Sequence, residues 1–176
     1  MNSSNPTIEI IGGDITTVDV DVIVNAANER LAAGAGVCGA IFAAAGHGEL
    51  TQSCRSIGGC ETGSAVVTSS HRLAERGITH IIHAVGPVWD ADDPDTSDRL
   101  LAGAYRSSLQ LAEEIGAASL AFPCISTGIY GFPAERAAAI AVAEVVGHLG
   151  QVQRVVLVAF SEQDRAVLTA ALESRR

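Results

Sequence analysis

Lysine is absent from this chain: all 11 basic residues are arginine. That excludes a P-loop lysine and a side-chain Schiff base. Positive charge is scarce altogether, with 20 acidic residues and a formal net charge of −9. A broad electrostatic grip on DNA or RNA is therefore not expected. An anionic ligand would have to be held locally, by backbone N–H groups and helix N-termini. The four cysteines, Cys38, Cys54, Cys60 and Cys124, form no CxxC pair and no zinc-type spacing with the five histidines. No metal is expected, and the cysteines read as reduced thiols of a cytoplasmic protein. No apolar run reaches membrane-spanning length, and Met1–Pro6 does not read as a signal peptide.

What is present fits one globular domain covering residues 1–176, with 48% apolar residues and 18 glycines. The rich use of Ala, Gly, Val and Arg matches a GC-rich, bacterial genome. Thr7–Ile11 and Val20–Val24 read as strands, followed by helices over Gly39–Ala45 and Glu49–Ile57. Ala65–Ser69 and His80–Ala84 are further strands, separated by a helical piece near Leu73–Arg76. After an acidic loop over Asp90–Asp98, Thr96 or Ser97 is expected to cap a long helix reaching Ile115. On that helix Leu101, Ala104, Tyr105, Ser108, Ala112 and Ile115 fall on one face. Leu120–Pro123 and Val155–Phe160 complete the strands, and Pro133 suits the first turn of a helix running to about Leu149. Ser161 and Asp164 form a capping-box pattern for the last helix. Strands alternating with helices give an α/β class: a three-layer α/β/α sandwich with a mostly parallel sheet.

In such sheets ligands sit beyond the carboxyl ends of the strands. Three of those ends carry unusual residues: Asn25, Asn28 and the glycines Gly34, Gly36 and Gly39 after the second strand; Cys124–Pro133 after the Leu120 strand; and Phe160 after the last. The asparagines suit sugar hydroxyls, and the glycine-bearing loops suit a phosphate. Gly34, Gly36 and Gly39 do satisfy G-x-G-x-x-G, but Asn25–Ala33 separate them from the strand and no acidic residue follows at the required distance. A dinucleotide fold is rejected on that ground. Cys124-Ile125-Ser126-Thr127-Gly128 has Cys where a nucleophile elbow needs Gly, which argues against a serine hydrolase.

Taken together, Gly13-Asp14-Ile15-Thr16, Val24–Asn28, Gly34–Gly39, His83–Pro87 and Ile125–Pro133 resemble the macrodomain family, most closely its MacroD-type ADP-ribosylhydrolases, over nearly the whole chain. The resemblance implies a mixed sheet and ADP-ribose as ligand, with no cofactor. It implies that Asp14 and the Ile15 N–H address the adenine and that Phe160 packs on it. Gly34, Gly36, Val37 and Gly39 from the first loop, with Ser126, Thr127, Gly128, Ile129 and Tyr130 from the second, would hold the diphosphate. Asn25 and Asn28 would address the distal ribose, walled by Tyr130 or Phe132. Each has a plainer reading: Asp14 as a cap, Asn25 as a buried structural amide, Phe160 as core, and His83 as a satisfied strand histidine.

The chain departs from the family pattern at the first loop. Cys38 stands where MacroD-type enzymes have a catalytic aspartate, Phe42 replaces a histidine, and Ala33 and Ala35 replace glycines. A free thiol ionises only near pH ~8.5, so the usual base is missing. Cys38, expected just before a helix, is either a catalytic thiol or a small filler. The expected function is that of a hydrolase removing ADP-ribose from Asp or Glu side chains by substrate-assisted attack, the water being positioned by Asn28, the glycine-rich loop and the substrate diphosphate. The alternatives are a non-catalytic ADP-ribose reader and an O-acetyl-ADP-ribose deacetylase. The expected partners are ADP-ribose and ADP-ribosylated proteins, with nucleic acid only as an ADP-ribosylated substrate and no membrane.

Overall fold

The computed structural model describes residues 5–175; residues 1–4, and with them most of the Met1–Pro6 reading, lie outside it. The strands are β1 (Thr7–Gly12), β2 (Val22–Ala27), β3 (Ala65–Ser69), β4 (His80–Val85), β5 (Ser119–Phe122) and β6 (Arg154–Ala159). The helices are α1 (Gly36–Ala45), α2 (His47–Ile57), α3 (Pro94–Glu114), α4 (Ala134–Gly147) and α5 (Glu162–Glu173). Short 3₁₀ turns cover Ile15–Thr17 and His71–Arg76. The six strands form one sheet in the order β1-β6-β5-β2-β4-β3, parallel throughout except for the antiparallel β3–β4 edge. This is the expected three-layer sandwich with a mixed, mostly parallel sheet. Among the described residues no helix is long and apolar enough to cross a membrane.

Period-2 alternation decides which residues face which layer. Val22, Val24, Ile82, Ala84, Val155 and Leu157 point to one side and meet Leu101, Tyr105, Val142 and Leu168 of α3, α4 and α5. Ile23, Ile81, Val85, Val156 and Val158 point to the other and meet Ile41, Phe42 and Leu50 of α1 and α2. Both faces of the central strands are thus sealed, which is why those strands read as continuous apolar runs.

Several expected boundaries move. The second strand starts at Val22 and extends through Ala27, so Asn25 lies inside it, paired in register with His83 of β4. Helix α1 starts at Gly36 and not at Gly39, which puts Cys38 in its first turn. Helix α3 starts at Pro94: the Asp93 carboxylate accepts from Thr96 N, and Pro94 occupies the first turn, so Thr96 and Ser97 are not its caps. Pro133 is the N-cap of α4 and does not enter its first turn. Strand β6 ends at Ala159, which leaves Phe160 outside the sheet. The capping box at Ser161 and Asp164 forms as expected.

Candidate functional site

All five parallel strands end at one rim of the sheet, and the segments that follow them line a single cleft of about 400 Å³. That is within the range of small-molecule sites, roughly 300–1,000 Å³. Gly13 and Ile15 follow β1, Asn28 and Gly34–Cys38 follow β2, and Gly86 follows β4. Pro123–Tyr130 follow β5, and Phe160 and Asp164 follow β6. Of the sequence-expected residues, Ile15, Asn28, Gly34, Gly36, Val37, Cys38, Ser126, Thr127, Gly128, Ile129, Tyr130 and Phe160 come together here. Asp14, Asn25, Gly39 and Phe132 fall outside the lining.

The cleft lining contains no arginine. Its one carboxylate, Asp164, is engaged with the Ser161 N–H and hydroxyl. An anion bound here must therefore rest on backbone amides. Helix α1 begins at the cleft with Ala35 as an N-cap that offers no side-chain bond. The amides of Gly36, Val37 and Cys38 precede the first backbone bond, from Gly39 N to Ala35 O. Such free N–H groups, with the helix dipole behind them, attract anions. Gly39 is required by packing: a Cβ there would lie 2.7 Å from the Gly34 carbonyl oxygen, so any side chain would push α1 off the first loop.

The second loop is pinned from beneath. Tyr105 of α3 accepts from Ile125 N at 3.3 Å and donates to the Pro123 carbonyl at 3.4 Å. Burial drives the Tyr105 phenol far above its ordinary pKa, so it stays protonated. Phe132 is buried and packs on Trp89 at 4.8 Å, while Trp89 N donates to the Tyr130 carbonyl at 2.8 Å. Phe132 therefore supports the loop from inside. The amides of Gly128, Ile129 and Tyr130 are unpaired among the described residues. Ser126 holds a left-handed φ of +67°, and its buried hydroxyl has no partner. Gly86 makes room for that hydroxyl, which a Cβ at this position would strike. Sequence reading noted Gly86 only within the strand-and-turn segment; its role depends on a neighbour 40 positions away.

Phe160 is 89% exposed at one end of the cleft and Ile129 98% exposed on its rim. Asp14 caps the 3₁₀ turn, its Oδ1 accepting from Thr16 N and Thr16 Oγ1. Asn28, at the other wall, accepts on Oδ1 from Arg30 N and Ala32 N and donates from Nδ2 to Ala32 O. One Nδ2 hydrogen is left for a ligand.

Behind the cleft floor lies a buried polar line that sequence reading did not assemble. Asn25 Nδ2 is 3.1 Å from His83 Nδ1 and 3.7 Å from Cys38 Sγ. His83 Nε2 faces Thr68 Oγ1 at 2.9 Å and Cys54 Sγ at 3.9 Å. With Asn25 donating to Nδ1, the histidine proton sits on Nε2. Burial pushes the His83 pKa down to about 4, so the ring is neutral, with no imidazolium proton to give at neutral pH. Burial raises the Cys54 and Cys124 thiols to about 11. Cys38 Sγ contacts the Ala32 carbonyl at 3.8 Å, and no histidine lies against it. All four cysteines are free. Among the described residues no group of three His, Cys, Asp or Glu side chains is placed to hold a metal ion.

The model of the Macro domain family matches residues 24–141. A macro domain-containing protein of Ralstonia nicotianae is 46% identical over 97% of this chain and 96% of its own length. A Klebsiella pneumoniae protein named O-acetyl-ADP-ribose deacetylase is 46% identical over 94% of this chain and 96% of its own. The Oceanobacillus iheyensis macrodomain solved with ADP superposes with a TM-score of 0.91 at 40% identity, covering 99% of this chain and 94% of that one. The Trypanosoma brucei macrodomain in complex with ADP-ribose gives 0.83 at 34% identity, covering 94% of this chain and 68% of that one.

Proposed function

The chain belongs to the macrodomain family, and from that premise we propose that it binds ADP-ribose and hydrolyses the ester linking ADP-ribose to Asp or Glu side chains of proteins. The observation that carries the reading is the convergence of two loops with free amides on one cleft that has no cation in its lining. The amides of Gly36 and Val37, and those of Gly128, Ile129 and Tyr130, hold the diphosphate. Phe160 covers the adenine, with Ile15 beside it. The distal ribose lies between Asn28 and Tyr130. Asn25, Gly39, Phe132 and Asp14 serve this site from outside its lining: Asn25 through Cys38, Gly39 by close packing, Phe132 under the second loop, and Asp14 through the turn that carries Ile15.

The departing carboxylate has a parent pKa near about 4 and needs little acid help. The water, accepting the remaining Asn28 N–H, bonds to the anomeric carbon as the bond to the carboxylate oxygen breaks, and gives its proton to a diphosphate oxygen of the substrate, which replaces the missing protein base. Positioning and electrostatic stabilisation supply the acceleration. Cys38 acts as a packed thiol and not as a nucleophile, because no base stands beside it to take its proton.

The test is a time course of label release from a protein ADP-ribosylated on glutamate. Release by the wild-type chain, slowed in Asn28→Ala, is the expected result. Retention of the label with the modified protein still captured would make the chain a reader. Deacylation of O-acetyl-ADP-ribose is the second reading, favoured by the name of the Klebsiella relative. Release of acetate without release of protein-linked ADP-ribose would select it.

A further inference from the structure

Residues 28–35 form the segment that joins β2 to α1, and the Asn28 side chain closes residues 28–32 of it into a ring. Its Oδ1 accepts from Arg30 N at 3.1 Å and Ala32 N at 3.1 Å, and its Nδ2 donates to Ala32 O at 3.0 Å. The main chain adds Leu31 N to Asn28 O at 2.9 Å. Inside this ring Leu31 holds a φ of +55°, a left-handed value unusual for a branched residue, while its side chain is buried in the α1–α2 layer. The Ala32 carbonyl that takes the Asn28 amide also meets the Cys38 thiol at 3.8 Å. Two residues on, Gly34 carries the carbonyl against which Gly39 of α1 is packed. Asn28 is thus connected through Ala32 to the first turn of α1, where the free amides of Gly36 and Val37 face the cleft.

We propose that Asn28 is chiefly a positioning residue: it fixes the first loop, and through it the amides that receive the diphosphate, so that affinity for the diphosphate itself depends on this side chain. The proposal rests on the ADP-ribose reading above for its ligand, and on the hydrogen bonds within residues 28–32 for its geometry. Both lone pairs of Oδ1 are taken by backbone N–H groups, so the side chain has no acceptor left for a ribose hydroxyl or a water proton. What it offers substrate is one N–H; what it offers the protein is three bonds.

ADP separates the two contributions, because it has the diphosphate and lacks the distal ribose. Loss of a ribose contact alone leaves ADP affinity untouched, whereas loss of loop position weakens ADP and ADP-ribose alike. The experiment measures Kd for ADP and ADP-ribose in wild type and Asn28→Ala. It also measures amide hydrogen exchange at Arg30 and Ala32 in the unliganded proteins, with Asn28→Asp as the conservative variant. The expected result is a fall of about tenfold in affinity for ADP, with a fall at least as large for ADP-ribose. Exchange at both amides should be faster by about tenfold in Asn28→Ala and only partly restored in Asn28→Asp, whose carboxylate still accepts both N–H bonds but turns an acceptor toward the Ala32 carbonyl in place of the lost Nδ2 donor. Unchanged ADP affinity with weakened ADP-ribose affinity overturns the proposal, as does unchanged exchange in Asn28→Ala. Failure of the wild-type chain to bind ADP would instead sink the ADP-ribose reading, and the exchange rates alone would then decide whether Asn28 holds the loop.

Discussion

Asn25 and His83 sit directly opposite each other in the β2–β4 register and share a hydrogen bond of 3.1 Å between Nδ2 and Nδ1 inside the α1–α2 layer. The pair sets the tautomer, with the Nε2 proton toward Thr68, and burial keeps the ring neutral.

A neutral buried histidine makes folding pH-dependent. Its pKa falls from 6.5 in the unfolded chain to about 4 in the folded one. Between those values the unfolded chain binds more protons, so stability rises with pH there. Stability is full above about pH 6.5 and is lost as the pH falls toward 4, by up to about 3 kcal/mol. Thermal unfolding of wild type and His83→Gln from pH 4 to 7.5 measures the difference. The variant should be less stable at pH 7 yet show a flatter profile. Parallel profiles would mean that His83 binds its proton equally well in the folded and the unfolded chain.

Tyr105→Phe keeps the ring against Phe122 and removes the hydroxyl that serves Ile125 N and Pro123 O. A stability loss of ~1–3 kcal/mol is expected, since buried groups of the second loop lose their partner. Urea unfolding measures it, and calorimetric titration with ADP-ribose should show weaker binding in the same variant. Full affinity would mean that the loop does not need its pin.

Cys38→Ala should keep ADP-ribose binding and lose less than about tenfold in turnover, because the thiol packs and accepts an N–H but takes no proton. A general acid or base contributes roughly 10²–10⁴-fold. A loss of that size with binding intact would assign Cys38 a proton-transfer or nucleophilic role.

Phe160→Ala touches a side chain with almost nothing packed on it. Stability should change by less than about 0.5 kcal/mol. Affinity for ADP-ribose should fall by about tenfold, as stacking on a base is worth ~1–3 kcal/mol. Equal affinities would remove Phe160 from the ligand site.

Local pattern carried much of this architecture. The apolar face of α3, the capping box at Ser161 and the strand runs are written in nearest-neighbour periodicity, and the folded chain has them. The convergence of Asn28, Gly34, Gly36 and Ser126–Tyr130 on one cleft followed from the rule that parallel sheets bind at strand carboxyl ends. What local pattern could not supply was anything decided by register or loop closure. Asn25 looked like a residue after a strand because its partner, His83, is 58 positions away. Cys38 looked like a residue before a helix because the uncapped Ala35 gives no start signal. Asn28 reads as a ligand contact in a motif, and its three bonds within residues 28–32 exist only once the loop has closed.

The two apolar layers on either side of the sheet share no side chain, and each sends one loop to the rim: the first from the α1 side, the second from above α3 and α4. Any molecule that engages both loops is therefore a rivet through the whole sandwich. Its occupancy ties the opening of one layer to the opening of the other, so a loaded protein unfolds as one unit even where the empty one lets a layer loosen by itself.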